Sequence, residues 1–267
     1  MAANLTTLTE AARAVLATAE PARKAAAGRA AAAAWRSGEI AAIGRSVPPD
    51  RPARPDKPAL RLPRDMPKRG AGGSAAGRIA LLHAIAHIEL NAIDLAWDIV
   101  ARFANAEPPR EFFDDWVRVA DEEAKHFTLL SKRLADLGAA YGDLPAHDGL
   151  WEAAQATAHD LLARLAVVPL VLEARGLDVT PTMIARMKRF GDRETAAVLT
   201  AIYEDEIGHV AIGLRWFERE CARRGVAPAP TWRALVAEHF KGAIKPPFND
   251  DARAEAGMAR AYYATAG

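Results

Sequence analysis

The sequence predicts an all-α protein, a four-helix bundle with additional N- and C-terminal helices. No alternating strand pattern of useful length occurs, and four segments each carry one carboxylate in an apolar helical stripe. The step from Glu89 to Glu123 is 34 residues, the step from Glu173 to Glu206 is 33, and 50 residues separate the two pairs. This spacing predicts two similar helical hairpins joined by a longer crossover.

The chain divides by composition into four parts. Residues 1–46 are rich in alanine with scattered arginine, which favours an outer helix or helical pair. Residues 47–73 contain seven prolines with basic residues between them, so we expect an extended arm or linker. Residues 74–224 form the predicted four-helix core, and residues 225–267 form a C-terminal helix and an irregular tail.

The boundaries of the core helices follow from capping and stop signals. The first two helices should end before Pro108 and at Gly138. Gly176 should end the third helix, Pro169 should kink or break it, and Thr180 should cap a short helix that follows. The predicted helices cover residues 74–105, 110–137, 150–175, 181–190 and 192–224, with a further helix over 231–242.

Composition narrows the class of protein. Lysine plus arginine (35) nearly balance aspartate plus glutamate (34), which gives no overall bias toward nucleic acid or anionic membranes. The single cysteine, Cys221, excludes an internal disulfide framework and a thiolate zinc site, as is typical of a reducing compartment. The strongest apolar run, residues 161–172, is shorter than a membrane span and contains Arg164. We therefore expect a soluble, cytoplasmic protein without a membrane partner.

The four acids call for a common explanation, because a buried carboxylate without a partner is costly. His126 follows Glu123 by one helical turn, and His209 follows Glu206 in the same way. Hard carboxylate oxygens with two imidazoles suit iron or manganese, and zinc is the alternative. The sequence predicts two metal ions, iron first, with mixed manganese and iron or zinc as alternatives. The expected ligands are Glu89, Glu123, His126, Glu173, Glu206 and His209.

Several polar residues near the ligands have two interpretations. Glu122 and Asp205 each precede a proposed ligand and can orient a metal-bound histidine, or they are exposed helix acids. Tyr203 shares the face of Glu206 and can hydrogen-bond or relay an electron, although a packed core tyrosine explains it too. Asp94, Asp98 and Arg175 have two interpretations: they orient ligands or bind substrate, or they form ordinary helix ion pairs.

Four further histidines have weaker signals. His83 and His87 lie on the first core helix but away from the centre of the Glu89 stripe, so metal contact is the minor interpretation. His147 and His159 have no supporting partner in the sequence, and a surface or capping role is favoured for both.

Six stretches give the chain a family resemblance. It resembles the ferritin-like superfamily and, more closely, a bacterial family of ferritin-like proteins labelled as a domain of unknown function. The matching stretches are HAIAHIELNAIDLAWD (83–98), DWVRVADEEAKHF (115–127), YGDLPAHDGLWEAA (141–154), RLAVVPLVLEARGLDVTP (164–181), DEIGHVAIG (205–213) and KPPFN (245–249).

The resemblance implies a four-helix core in which the six acids and histidines are metal ligands. It implies no substrate. Among characterised relatives, the ligand order is similar to that of the di-iron tRNA hydroxylase and other oxygen-activating carboxylate enzymes. One scaffold in this superfamily hosts storage, oxidation, hydroxylation and radical generation, so the fold does not select among them.

Three functions follow as hypotheses. The first is an oxygen-dependent di-metal oxidoreductase that hydroxylates or oxidises an unknown substrate and takes electrons from a donor protein. The second is iron handling by ferroxidation or storage, and the third is a helical module with a structural metal or buried salt bridges. The substrate is a small molecule or a tRNA, and the oligomeric state is open. A tRNA would meet a basic strip formed by Arg51, Arg54, Lys57, Arg61, Arg64, Lys68 and Arg69.

Overall fold

A computed structural model describes residues 6–66, 72–106 and 108–264. Within these ranges the regular structure is helical, and β pairing is limited to the isolated bridges Thr7 with Ala42 and Leu60 with Ala146. The predicted all-α class is therefore confirmed. The chain separates into two compact units, Met1–Trp151 and Glu152–Gly267. The four-part domain division stays a prediction.

The first unit contains a long helical hairpin with two shorter helices packed on it. Helix α3 packs against α4, α1 packs against α3, and α2 packs mainly against α4. Thr7 and Glu10 form a capping box at the start of α1, and Pro21 occupies the first turn of α2. The helices are α1 Leu8–Leu16, α2 Pro21–Ser37, α3 Ala75–Arg102 and α4 Arg110–Asp136.

The predicted first hairpin is confirmed with small changes at its ends. Ser74 caps α3, because its side chain accepts a hydrogen bond from Gly77 N. Helix α3 ends at Arg102, and a short 3₁₀ turn, Ala104–Ala106, replaces the last predicted residues. These two helices carry three of the six predicted ligands.

The proline-rich arm docks on the first unit through its backbone. Ala53 N donates to Leu16 O at 2.7 Å, and Ala53 O accepts from the Lys24 ammonium at 3.0 Å. Further along, Arg61 N donates to Ala146 O at 2.8 Å. The arm is irregular apart from a 3₁₀ turn, Pro63–Asp65, and its residues 67–71 lie outside the described ranges.

The second unit contains the second hairpin and the C-terminal helices. Helix α7 packs on α8, and α9 packs on α6 and α8. The helix α5 Gly149–Ala156 crosses the boundary between the units. The remaining elements are α6 Leu161–Val167, a π-helical segment Val168–Glu173, α7 Ala174–Arg189, α8 Arg193–Arg224, α9 Pro228–His239, α10 Asp250–Glu255 and α11 Arg260–Tyr263.

The predicted third helix, residues 150–175, is wrong in its boundaries. The chain breaks after α5, and Asp160 caps a new helix by accepting from Leu162 N at 3.2 Å. The buried guanidinium of Arg164 donates to Ala154 O at 2.7 Å and so satisfies a carbonyl at the end of α5. The Asp160 cap and the buried Arg164 side chain therefore determine where the first of these helices ends and where the next one begins.

The predicted stop at Gly176 and the cap at Thr180 are also wrong, because α7 continues through Pro181. A proline inside a helix leaves the carbonyl four residues earlier without its N–H donor. That carbonyl is Leu177 O, and the side chain of Asn249 donates to it at 3.1 Å. A distant part of the chain therefore makes Pro181 tolerable, and α7 ends only before Gly191, whose φ is 77°.

The C-terminal region is more regular than predicted. Helix α9 begins at Pro228, three residues before the predicted start, and ends at His239. The expected irregular tail contains α10 and α11, and Asn249 caps α10 by accepting from Ala252 N at 3.3 Å. An asparagine followed by two aspartates favours the start of a helix, a local signal that the prediction of an irregular tail did not use.

One described segment, Ala75–Ala106, is long and apolar enough to cross a membrane, and 67% of its most apolar window is buried inside the protein. The prediction that residues 161–172 are the strongest apolar run is therefore wrong, because the more apolar segment is α3, although α3 also contains the acids Glu89, Asp94 and Asp98. A buried core helix passes the same test of length and hydropathy, so this segment is weak evidence for a membrane span.

A buried ion pair joins α2 to α3. Lys24 Nζ lies 2.5 Å from Asp94 Oδ1, and both side chains are buried. Arg54 from the arm adds a contact of 3.3 Å to the other carboxylate oxygen and donates to Asn91 Oδ1 at 2.6 Å. Burial lowers the pKa of Lys24 and raises the pKa of Asp94, and their mutual attraction opposes both shifts. Removing one partner therefore leaves a charge in an apolar place.

We expect Asp94→Asn to lower the free energy of unfolding by about 3–5 kcal/mol, because Lys24 is left buried without a carboxylate. Lys24→Met should cost less, since Arg54 still pairs with Asp94. Urea unfolding followed by circular dichroism measures both changes. Equal, small losses in the two variants would contradict the ion-pair argument.

A close approach in the second unit generates another test. A Cβ atom added at Gly213 on α8 would lie 2.5 Å from Pro169 Cγ in the π-helical segment. Gly213→Ala should therefore push α8 away from this segment and cost about 1–3 kcal/mol. Gly208→Ala is the matched control, because nothing lies within 4 Å of its added Cβ. The control should gain roughly 0.5–1 kcal/mol from helix propensity. Similar unfolding midpoints for both variants would refute the contact.

Candidate metal centre

The first unit brings three predicted ligands together, and we call Glu89, Glu123 and His126 the first Glu/His group. Helix α3 supplies Glu89, and α4 supplies the other two from successive turns. His126 Nδ1 lies 3.2 Å from Glu89 Oε2 and 3.4 Å from Glu123 Oε2. All three side chains are buried, and their ligand atoms lie within 4.8 Å of one another.

The electrostatics of this group favour a cation. Burial, and then the neighbouring Glu123 carboxylate, hold the pKa of Glu89 well above its usual range, while His126 opposes the shift. Two carboxylates and an imidazole at these distances form a donor set that iron, manganese or zinc accepts. A bound cation would offset the repulsion that raises the pKa of Glu89. The residues therefore fit a metal site.

The second unit contains a matching set, and we call Glu173, Glu206 and His209 the second Glu/His group. Their ligand atoms also lie within 4.8 Å of one another. Glu206 and His209 occupy successive turns of α8, with His209 Nδ1 3.7 Å from Glu206 Oε1. His209 is buried, whereas Glu173 is only half-buried. Each unit thus contains two carboxylates and one imidazole whose ligand atoms lie close together.

The π-helical segment Val168–Glu173 delivers Glu173 to its group. Pro169 lies at the start of this segment and cannot donate a backbone hydrogen bond, so the regular α-helical ladder is interrupted there. The chain widens for one turn and returns to α-helix at Ala174. The irregularity predicted at Pro169 is therefore a π segment, a feature often found at functional sites.

The acids on α3 that follow Glu89 form ion pairs with basic side chains. Asp94 contacts Lys24 and Arg54, as described above. Asp98 accepts from Arg102 Nε with both carboxylate oxygens, each at 3.0 Å. The structure places both acids in the ion pairs that the sequence analysis gave as the alternative to a ligand-orienting role.

Arg175 and Tyr203 contact the C-terminal tail. Arg175 Nη1 donates to Lys245 O at 2.8 Å and to Pro247 O at 3.2 Å. The hydroxyl of Tyr203 accepts from Asn249 Nδ2 at 3.0 Å. These bonds tie the KPPFN stretch to the helices that carry the second Glu/His group.

Glu122 and Asp205 are both half-buried beside their proposed ligands. A role for either acid in orienting a histidine stays a prediction.

A histidine network on α3 was not predicted. His83 Nε2 accepts from Gly142 N at 2.9 Å and from Leu144 N at 3.4 Å. His87 Nδ1 lies 2.8 Å from the hydroxyl of Tyr141, and its Nε2 lies 3.0 Å from His147 O. Burial lowers the pKa of His87 to about 4, so this imidazole is neutral at pH 7.

The network fastens the YGDLPAHDG stretch to the helix that carries Glu89. Two of its backbone N–H groups donate to one imidazole, and one of its carbonyls faces the other. The histidine spacing on α3 and the turn-rich loop were both visible in the sequence. Their pairing was not, because it joins segments about 60 residues apart.

The basic strip of the arm is partly engaged in internal pairs. Arg51 forms an ion pair with Asp148, and Arg54 contacts Asp94. Arg64 lies 3.9 Å from Asp65, and Lys57 packs beside Gly142. Lys68 and Arg69 lie outside the described residues. A tRNA contact by this strip stays a prediction.

Comparison with known proteins identifies relatives without a described activity. An uncharacterized protein of Haemophilus influenzae is 46% identical over 213 residues, which cover 76% of this chain and 72% of that protein. No solved structure matches the chain. Residues 17–264 match the family described as "Protein of unknown function (DUF455)". The chain therefore belongs to the DUF455 family.

Proposed function

We propose that this protein is an oxygen-dependent oxidoreductase of the ferritin-like superfamily, in which the two Glu/His groups hold two metal ions, iron first. One observation carries the proposal: each unit presents a group of two glutamates and one histidine with ligand atoms within 4.8 Å of one another. That is the donor set of helix-bundle di-iron carboxylate proteins. Two reduced irons, when bound, supply the electrons that dioxygen needs to hydroxylate or oxidise a substrate.

The residues of the two groups divide the work of holding the metals. Glu89 and Glu123 provide negative charge in a buried place, and His126 and His209 provide neutral nitrogen donors. Glu173 stands at the end of the π segment, where the backbone departs from the α-helical ladder. Single-turn π segments of this kind are frequent at functional sites.

Exposure suggests where a substrate would approach. The first Glu/His group and His209 are buried, whereas Glu173 is half-buried. We therefore propose that substrate approaches from the side of Glu173. The nearby tail, held by Arg175 and Asn249, would then shape this entrance.

Iron handling is the main alternative function, because proteins with the same set of metal ligands can oxidise iron for storage. Storage needs a large hollow assembly, whereas an oxidoreductase does not. The mass of the native assembly, measured by light scattering, separates the two functions.

Protein expressed with iron should contain about two irons per chain, with coupled, oxygen-responsive optical and Mössbauer spectra. Glu123→Ala and His209→Ala should each lose this signal, because each removes a donor from one Glu/His group. Glu204→Ala is the matched control, since Glu204 is an exposed glutamate on the same helix as Glu206. If the wild-type protein is stable without metal and the variants do not differ from it, the metal proposal is refuted and the protein is a structural helical bundle.

The tail gives a separate prediction. Arg253 is buried and donates to both oxygens of Asp178, at 2.9 and 2.8 Å. Arg253→Met should leave Asp178 with only the partly exposed Arg175 and Asn249 N as partners, cost about 1.5–3 kcal/mol and open the chain to trypsin near Lys241 and Lys245.

Arg260→Met is the control for this release, because the Arg260 pair with Asp250 is solvent-exposed and worth about 0–1 kcal/mol. If the tail shapes the entrance, Arg253→Met changes oxygen-dependent turnover while iron content is retained. If the tail is released and turnover does not change, the tail does not shape the substrate entrance.

A further inference from the structure

Two histidines of the second unit lie side by side, apart from the Glu/His groups. His159 belongs to the turn between α5 and α6, and His239 is the last residue of α9. Their ring centroids are 5.3 Å apart, and the ring planes are inclined at 59°. The fold thus pairs residues 80 positions apart, which explains why His159 had no visible partner in the sequence.

The separation of the rings suits a shared metal ion. Zinc binds imidazole nitrogen at about 2.0–2.1 Å, and tetrahedral angles then place two ring centroids roughly 5 Å apart. The observed separation of 5.3 Å agrees with this requirement. Stacked histidine rings would instead lie nearly parallel, whereas these rings are tilted.

The surroundings supply negative charge. His239 Nε2 lies 3.8 Å from Glu238 Oε1. The donor atoms of Glu238 and the two histidines do not all lie within 4.8 Å of one another, so Glu238 must rotate to reach a shared ion. The Glu238 side chain is 71% exposed and free to do so, whereas the His239 side chain is only 13% exposed and therefore confined. His239 also stands at the carboxyl end of the 12-residue helix α9, where the helix dipole favours a cation.

We propose that His159 and His239 bind a divalent late transition-metal ion, for which Zn²⁺ is the probe, with Glu238 as a third ligand. Water completes the coordination, because His159 and Glu238 are exposed. The site takes nitrogen and oxygen donors from the surface of one unit and needs neither Glu/His group. It stands whether or not the proposed oxidoreductase activity is correct.

Metal binding here would fasten the end of α9 to the turn before α6. Helices α9 and α6 already meet at Trp232, whose indole N–H donates to Ala166 O at 3.0 Å. A metal clip would add a second attachment one to two turns further along α9. The ion would therefore stabilise the docking of α9 as well as occupy a surface site.

The test is equilibrium dialysis of the full-length protein against Zn²⁺ with a competing chelator, for wild type, His159→Ala and His239→Ala. Each histidine variant should lose about one zinc per chain, or at least tenfold in affinity for that zinc. Glu255→Ala serves as the control, because Glu255 is an exposed acid elsewhere in the same unit. Circular dichroism checks that each variant folds.

Glu123→Ala separates this site from the Glu/His groups. It should leave the surface zinc in place, while His159→Ala should leave the iron spectra unchanged. Equal zinc binding by wild type and both histidine variants overturns the proposal. Loss in only one histidine variant also overturns it, because the site requires both imidazoles.

Discussion

The cost of burying charge governs this structure. A carboxylate taken out of water must meet a cation or lose its charge. Asp94 meets Lys24 and Arg54, and Asp178 meets Arg253. In the two Glu/His groups the acids stand among imidazoles and other acids, and the pKa of Glu89 is raised accordingly. The same rule explains the ion pairs that hold the helices and the metal ions that we propose for the groups.

Much of the fold and of the candidate site could be predicted from local signals. Helical periodicity placed Glu89, Glu123 and Glu206 on buried faces, because three- and four-residue spacing defines one side of a helix. The predicted starts at residues 74 and 192 agree with α3 and α8, which Ser74 and Asp192 cap in the structure. These features depend on residues only a few positions apart, which is why a single sequence reveals them.

Several of the errors reflect a polar partner that local sequence patterns do not reveal. Pro181 was predicted to start a helix because it cannot donate a hydrogen bond to Leu177 O. In the structure the side chain of Asn249 donates to that carbonyl instead. His87 looked peripheral because Tyr141 and the carbonyl of His147 are far away in the sequence. Arg164 looked like an interruption of an apolar run, whereas it satisfies the carbonyl of Ala154.

The bond between Asn249 and Leu177 O also has a consequence for synthesis of the chain. The two residues are 72 positions apart, so a ribosome working at about 5–20 residues per second makes Asn249 several seconds after Leu177. Until then the carbonyl must be hydrated, and the nascent α7 cannot bury that turn without loss. Synthesis of the segment around Asn249 therefore sets the earliest time at which this helix reaches its final state.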